Sequence, residues 1–357
     1  MKKSFNLIII FIFLLLIIGS FCGCKKESIT QNNILFALED ETLILEDLEK
    51  DCSCYVYVDG EKRGSSFSVV NGKVGLPKFL FSLSSGKIVN LKLEFFNDQF
   101  DIFNTKEFTI DVVDRAISNV QEFNAWYSGY EKYYMNNEYV ILTNNIILNG
   151  NVIDNWEMSG WLKTMFTGTF DGRGYYISNF ASKFGFIPNV GKEGCIKNLA
   201  LINMVTTGEN GFLGQWLCGS MQDCYFQGKQ TSEIGGPRFT GFYSRYYDDQ
   251  NDNGMVKYVK NVVINVDRPF TGYGNDAFND SEFMSRIPTG VTFSNVFMIN
   301  NCYNGKLFYG ERWEELSVKL FTSIEEMKSN VNELPLGFSS ALWKINSNGI
   351  LCFKSVK

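Results

Sequence analysis

The sequence predicts an all-β protein in two units: a sandwich of short strands, then a stack of repeating coils closed by a short helix. Three observations carry this. Aromatic residues and Gly are plentiful while Pro is scarce, with 32 Phe, 17 Tyr and 32 Gly against 6 Pro in 357 residues. Such a composition suits many short strands joined by tight turns. Apolar and polar side chains alternate through the early part of the chain. A short pattern, apolar–any–Asn or Asp–apolar, then recurs along the rest.

The chain begins with an address. Lys2 and Lys3 precede an apolar run from Leu7 to Ile18, followed by Gly19, Ser20, Phe21, Cys22, Gly23 and Cys24. A basic start, an apolar centre and small residues before the cut make residues 1–23 a secretory signal peptide. The run is shorter than the about 20 apolar residues a membrane-spanning helix needs. Its end resembles the bacterial lipobox, whose cysteine is acylated and becomes the first mature residue. Gly23 makes Cys24 the fitting position, and Phe21 stands where that pattern prefers Leu. Residues 24–33 read as a short polar tether. The expected location is the bacterial cell envelope, outside the cytoplasm, with the chain held to a membrane by lipid on Cys24.

Residues 34–114 show a period of two. Tyr55–Val58 runs into Asp59-Gly60, and Phe67–Val70 into Asn71-Gly72; both dipeptides are hairpin signals. Val89, Leu91, Leu93 and Phe95 alternate with polar or long residues, as do Phe108, Ile110 and Val112. With Ile34–Leu38 and Leu43–Leu45 this gives about seven short strands, the pattern of an immunoglobulin-like β-sandwich without its Cys…Trp…Cys signature. Cys52 and Cys54 point to one face of their strand. With no second pair of ligands in view, they read as half-buried thiols rather than a metal site.

Residues 115–357 open with an amphipathic helix, in which Val120, Phe123, Trp126 and Tyr127 keep helical spacing behind a capping box of Ser118 and Gln121. Tyr139–Leu142 and Ile146–Leu148 follow as strands. The stretch 166–180, FTGTFDGRGYYISNF, sets Thr-Gly and Asp-Gly turn signals inside an aromatic and β-branched run, so it folds as short strands and tight bends. The repeated pattern comes next: Ile177-Ser-Asn179-Phe180, Ile196-Lys-Asn198-Leu199, Met221-Gln-Asp223-Cys224, Val259-Lys-Asn261-Val262 and Phe293-Ser-Asn295-Val296. These copies start 19, 25, 38 and 34 residues apart. Periods of this size indicate a solenoid. Its apolar residues would stack coil upon coil. The Asn would sit at each bend, bonding to its stacked neighbours and to the backbone. Near the end, Ile324, Met327, Val331 and Leu334 keep helical spacing, with Thr322 and Glu325 as a capping box. This helix and a strand at 343–350 are expected to cover the open end of the stack.

Tyr139–Leu148, the segment Phe166–Gly172, Tyr176–Asn179, Gly185–Ile187, Gly194–Leu199 and the tail together resemble bacterial surface proteins carrying the GLUG motif. That motif is a Gly-rich repeat first noted in immunoglobulin-A metalloproteases. The stretch from Cys224 to Asn295 departs from it. The resemblance implies a right-handed parallel β-helix, similar in fold to pectate lyases, at the cell surface. It implies no protease activity.

Several function classes are excluded or narrowed. The chain contains no histidine, which removes Ser-His and Cys-His nucleophile pairs and His-bound zinc. A net charge of −6 argues against nucleic acid as a partner. Tyr243, Tyr246 and Tyr247 adjoin the acidic stretch 246–254 (YYDDQNDNG), and Tyr273 lies in a Gly-rich segment. Flat rings beside carboxylates and amides suit sugar binding. Asp249, Asn251, Asn253 and Gly254 match the opening of a calcium loop, but Lys260 stands where the closing Glu belongs. A solvated turn, with Asp248 and Asp252 in it, is the first reading and calcium the second; no other cofactor is expected. Lys183, Arg238, Arg245 and Lys257 show no converging spacing, and the Asp171-Gly172 turn accounts for Asp171. The expectation is therefore a lipid-anchored surface module that binds glycans or host or environmental proteins without catalysis. The alternative is a polysaccharide lyase or glycoside hydrolase working on a β-helix face, and a plain spacer is a third possibility.

Overall fold

The computed structural model describes residues 33–49, 51–129, 135–153, 165–183, 185–207, 212–217, 219–231, 240–242, 258–267, 292–299, 318–321 and 323–356. Among the described residues it is all-β, with two short α-helices. The chain divides into two units: Met1–Phe36, Leu43–Leu76 and Ile88–Asp111 form one, and Ala37–Thr42, Pro77–Lys87 and Val112–Lys357 the other.

In the first unit the strands are antiparallel around Cys52–Val58. That strand pairs Lys87–Phe96 on one side and both Glu61–Lys62 and Phe67–Val69 on the other. Alternation sets the faces as the sequence predicts. Cys54, Val56, Val58, Leu91, Leu93, Phe95, Phe108 and Ile110 are buried. The turn signals also hold: Asp59, Gly60, Asn71 and Gly72 all have positive φ, as a type I′ hairpin requires at both central residues. The Cys52 and Cys54 thiols are free. Burial pushes the Cys54 thiol up to about 12, so it is an inert filler.

The second unit is built from parallel ladders. Strands Thr169–Asp171, Cys195–Thr206, Ser220–Gln230, Tyr258–Asp267, Thr292–Ile299 and Val318–Phe321 pair in sequence order, each with the next. A second parallel sheet joins Met135–Asn136, Met165–Phe166, Asn189–Val190, Gly214–Leu217 and Thr240–Phe242. The in-register pairing stacks like on like. Val140, Phe170, Ile196, Met221 and Val259 form one buried row; Ile177, Leu201, Phe226, Ile264 and Met298 form another.

Side-chain ladders fix that register at the bends. Asn198, Asp223, Asn261 and Asn295 all have positive φ, a conformation that Asn and Asp tolerate better than other non-glycine residues. Their side chains bond up the stack. Asn198 Nδ2 donates to Asp171 Oδ1 at 2.8 Å, Asn261 Nδ2 to Asp223 Oδ1 at 3.0 Å, and Asn295 Nδ2 to Asn261 Oδ1 at 3.0 Å. The copy at Asn179 belongs elsewhere. Ile177 pairs Leu201 rather than Ile196, so Asn179 sits one bend further along its coil. There it stacks near Asn203, another positive-φ residue, and donates to Leu148 O at 3.2 Å. Spacing alone merged two bends into one series. At a third corner the backbones nearly touch: a Cβ on Gly194 would lie 2.4 Å from Phe166 O, and one on Gly219 2.1 Å from Gly194 O.

Helix α1, Val120–Gly129, lies over the first coils. Its Phe123 and Tyr127 rings meet Phe180 edge-on, and Trp126 meets Phe170. The cap differs from expectation by one residue. Asn119 Oδ1 accepts from Glu122 N at 3.0 Å, and Glu122 reaches back to Ser118 N at 2.7 Å. The same shift occurs at helix α2, Ile324–Asn330, where Ser323 rather than Thr322 is the N-cap. Residues after α2 form a hairpin, Trp343–Ile345 with Leu351–Phe353, instead of a single strand.

This tail covers a flank of the stack as well as the region near its last strand. Met327, Val331, Phe338, Trp343, Leu351 and Phe353 pack on the outward row Ala200, Tyr225, Val263 and Phe297. The ladder anchors it. Asn261 and Asn295 donate to Gly337 O and Leu336 O at 2.9 and 2.8 Å, and Trp343 Nε1 donates to Asp223 Oδ1 at 3.2 Å.

Asn261→Ala removes three hydrogen bonds at a 2% exposed site and leaves Ala at φ 54°. It is expected to cost about 2–4 kcal/mol in urea unfolding. Asn203→Gly, at an exposed bend, is expected to stay within about 0.5 kcal/mol. Equal effects of the two would contradict the ladder's role.

Candidate functional site

Each repeat strand turns its first apolar residue inward, so the residues on either side of it face outward. Two outward columns result. One runs Tyr139, Thr169, Cys195 and Ser220, and the other runs Asp171, Lys197, Gln222, Lys260 and Ser294. The second column is the "any" position of the repeat, which the sequence pattern left without meaning.

At the first coils the columns meet in a polar cluster. Asp171 is 6% exposed and fully engaged. Its Oδ1 accepts from Arg173 N at 2.9 Å and Asn198 Nδ2 at 2.8 Å; its Oδ2 accepts from Tyr139 Oη at 3.0 Å and faces Lys197 Nζ at 3.5 Å. Asp171 is thus more than a turn residue, and no oxygen of it is left to act as an open acid. Lys197 Nζ also lies 5.2 Å from the centre of the Tyr139 ring.

Tyr139 is held from behind. Gly86, at φ 73°, lies so close that a Cβ there would come 2.7 Å from the ring. Asp114 Oδ2 accepts from Tyr139 N at 2.6 Å. Further along the face, burial raises the Tyr258 phenol, and nearby Cys195 adds to the rise.

The electrostatics keep Lys197 charged. Burial pulls its ammonium down, but the hydrogen bond to Tyr139 and the charge of Asp171 outweigh that, and the net shift is upward. Burial raises the Tyr139 phenol, and Asp171 adds to the rise against the pull of Lys197. The cluster is therefore an ammonium paired with the Asp171 carboxylate, beside a neutral phenol at neutral pH. Lys260 is exposed two strands along the same column, about 10 Å away by strand spacing.

The residues singled out by sequence fall elsewhere. Cys24, Tyr243, Tyr246, Tyr247, Tyr273, Asp248, Asp249, Asn251, Asp252, Asn253, Arg238, Arg245 and Lys257 lie outside the described residues. Lys183 is described and exposed. Among the described residues, no three His, Cys, Asp or Glu side chains gather as metal ligands, and no helix is long and apolar enough to cross a membrane. Lys197 and its partners were missed. The signal was present in the residues just before each bend, Lys197, Gln222, Lys260 and Ser294, which read as a polar column once aligned.

No protein-family model matches the chain, and no curated protein matches it. Among solved structures, the chain is similar to a Bacteroides ovatus protein described as a "putative immunoglobulin A1 protease". Sequence identity is 15% and the TM-score 0.40, over 68% of this chain and 92% of that one.

Lys197 and Tyr139 both hold their protons more tightly when folded. Their contribution to stability is full below the unfolded values of 10.5 and 10.0 and is lost as pH rises through the higher folded values. Urea unfolding from roughly pH 9 to 11.5 is expected to show the stability difference between wild type and Tyr139→Phe/Lys197→Met falling as pH rises. A difference independent of pH would contradict this coupling.

Proposed function

We propose that this chain is a bacterial cell-surface module, anchored by lipid on Cys24, that binds glycans without cutting them. In this reading residues 34–114 are an immunoglobulin-like sandwich. Residues 115–357 are a right-handed parallel β-helix of the GLUG type, with the parallel in-register ladders as support. The outward columns around Lys197 are the surface on which an acidic glycan lies.

The observation that carries the reading is the state of Lys197. It is an ammonium, 31% exposed and 3.5 Å from Asp171 Oδ2, next to the Tyr139 ring and beside the column of Thr169, Cys195 and Ser220. An ammonium raised above its ordinary value attracts carboxylate or sulfate, but it is a poor proton acceptor at neutral pH. A lyase working here would need Lys197 or Tyr139 deprotonated, and both shifts run the other way. A hydrolase would need a second free carboxylate facing the first, whereas the oxygens of Asp171 are taken up by its neighbours. Lys260, farther along the column, offers a second charge to a polymer crossing the strands.

The test is to pass acidic and neutral polysaccharides over the immobilised full chain, with and without Ca²⁺, while reading retention and product masses. Acidic polymers are expected to be retained uncut. Lys197→Ala is expected to weaken retention by about tenfold at low salt, with the gap closing as salt rises. New oligosaccharide products would overturn the non-catalytic reading. Retention unaffected by Lys197→Ala would overturn the assignment of this face.

A further inference from the structure

Helix α1 and the chain from Ile147 to Val152 enclose a cleft of about 540 Å³, lined among others by Val120, Asn124, Tyr127, Ile147, Asn149 and Asn151. This volume falls within the range of small-molecule sites. Three features set what it can hold.

First, among the described residues the lining carries no carboxylate, ammonium or guanidinium. The Tyr127 hydroxyl turns away to Gly185 O at 3.0 Å and Ser182 Oγ at 3.2 Å, and its ring is buried in the core beneath the cleft, 1% exposed. A charged ligand would lose hydration here with no counter-charge to replace it.

Second, the amides are unspent. Asn179, Asn198, Asn261 and Asn295 all use their side chains within the fold. Among the described residues, the side chains of Asn124 and Asn151 bond nothing. Asn149 uses only Oδ1, which accepts from Asn151 N at 3.0 Å. These amides offer both donors and acceptors at one place.

Third, the cleft has an apolar lining. Val120, Ile147 and Val152 are 38%, 58% and 49% exposed there. Side-chain amides next to exposed aliphatic groups suit a ligand with hydroxyls, an amide and a methyl group, and no charge.

We infer that this cleft binds an uncharged acetamido sugar. The amides of Asn124, Asn149 and Asn151 pair with its hydroxyls and acetamide, and its methyl and C–H face rests on Val120, Ile147 and Val152. The inference rests on the glycan-binding reading but uses a surface that shares no residue with the Lys197 face.

The experiment is calorimetric titration of the full chain with tri-N-acetylchitotriose, using maltotriose and a galacturonate trimer as comparators. The acetamido trimer is expected to bind at least about tenfold more tightly than either. Asn124→Ala/Asn151→Ala is expected to weaken it by about tenfold or more, with an unchanged melting temperature and unchanged retention of acidic polysaccharide. Asn124→Trp, which fills the cleft, is expected to abolish it. No preference for the acetamido trimer, or equal binding by wild type and both variants, would overturn the inference. The two readings fail separately. If acidic polysaccharides are not retained but the trimer is lost in the cleft variants, the Lys197 face falls and the cleft stands; the opposite pattern reverses this.

Discussion

The structure of the second unit depends on a stack of left-handed Asn and Asp residues. Placing a non-glycine residue at positive φ costs about 1–2 kcal/mol, less for Asn and Asp. Here the residue must also bend the strand without breaking the parallel ladder. Asn meets both demands, because its amide can donate to the side chain one coil away while its backbone turns the corner. Asp223 fills the same position as an acceptor, taking bonds from Asn261 Nδ2 and Trp343 Nε1 at once. Register follows from this. With the bends aligned, Ile196, Met221 and Val259 stack inside and Lys197, Gln222 and Lys260 fall in line outside. The candidate binding face is thus a consequence of the same device that holds the coils in step.

The tail bonds to that device, and helix α1 packs on the interior aromatic residues. Leu336 O and Gly337 O accept the amide hydrogens that Asn295 and Asn261 turn toward the flank. The Asn261 bond to Gly337 O is part-buried and the Asn295 bond to Leu336 O is exposed; the Trp343 bond to Asp223 is buried, and Trp343 and Phe353 are fully buried. Competition from water is what reduces such bonds to about 1 kcal/mol on average, so burial raises their worth. At the other end, the Phe123, Trp126 and Tyr127 rings pack on Phe170, Phe180 and Phe186. The same packing forms one wall of the amide-lined cleft.

Much of this was legible in the sequence where the signal was local. Asp59-Gly60 and Asn71-Gly72 fix the sign of φ, and the turns follow. The repeat Asn were recognisable for the same reason, since all five proposed bend residues have positive φ. What spacing did not carry was which bend stacks on which. Ile177-Ser-Asn179 and Ile196-Lys-Asn198 look alike as strings but occupy different corners, because register is set by contacts between coils. The helix caps were each read one residue early, since Ser118-Asn119 and Thr322-Ser323 offer two capping residues in a row and packing chooses between them. The Lys197 cluster was hidden because its members, Tyr139, Asp171 and Lys197, lie on three successive strands and meet only when all three have stacked. Asp171 in particular looked complete as a turn residue. Both roles are true of it, and only the second depends on the fold.

The central claim is that the ladder couples the coils into one cooperative stack. Native-state hydrogen exchange of the full chain tests this most directly. The account predicts that the slowest amides lie in Cys195–Thr206, Ser220–Gln230 and Tyr258–Asp267, and that they share one opening free energy which falls together as denaturant is added. Strands that open independently, each with its own free energy and denaturant dependence, would contradict it.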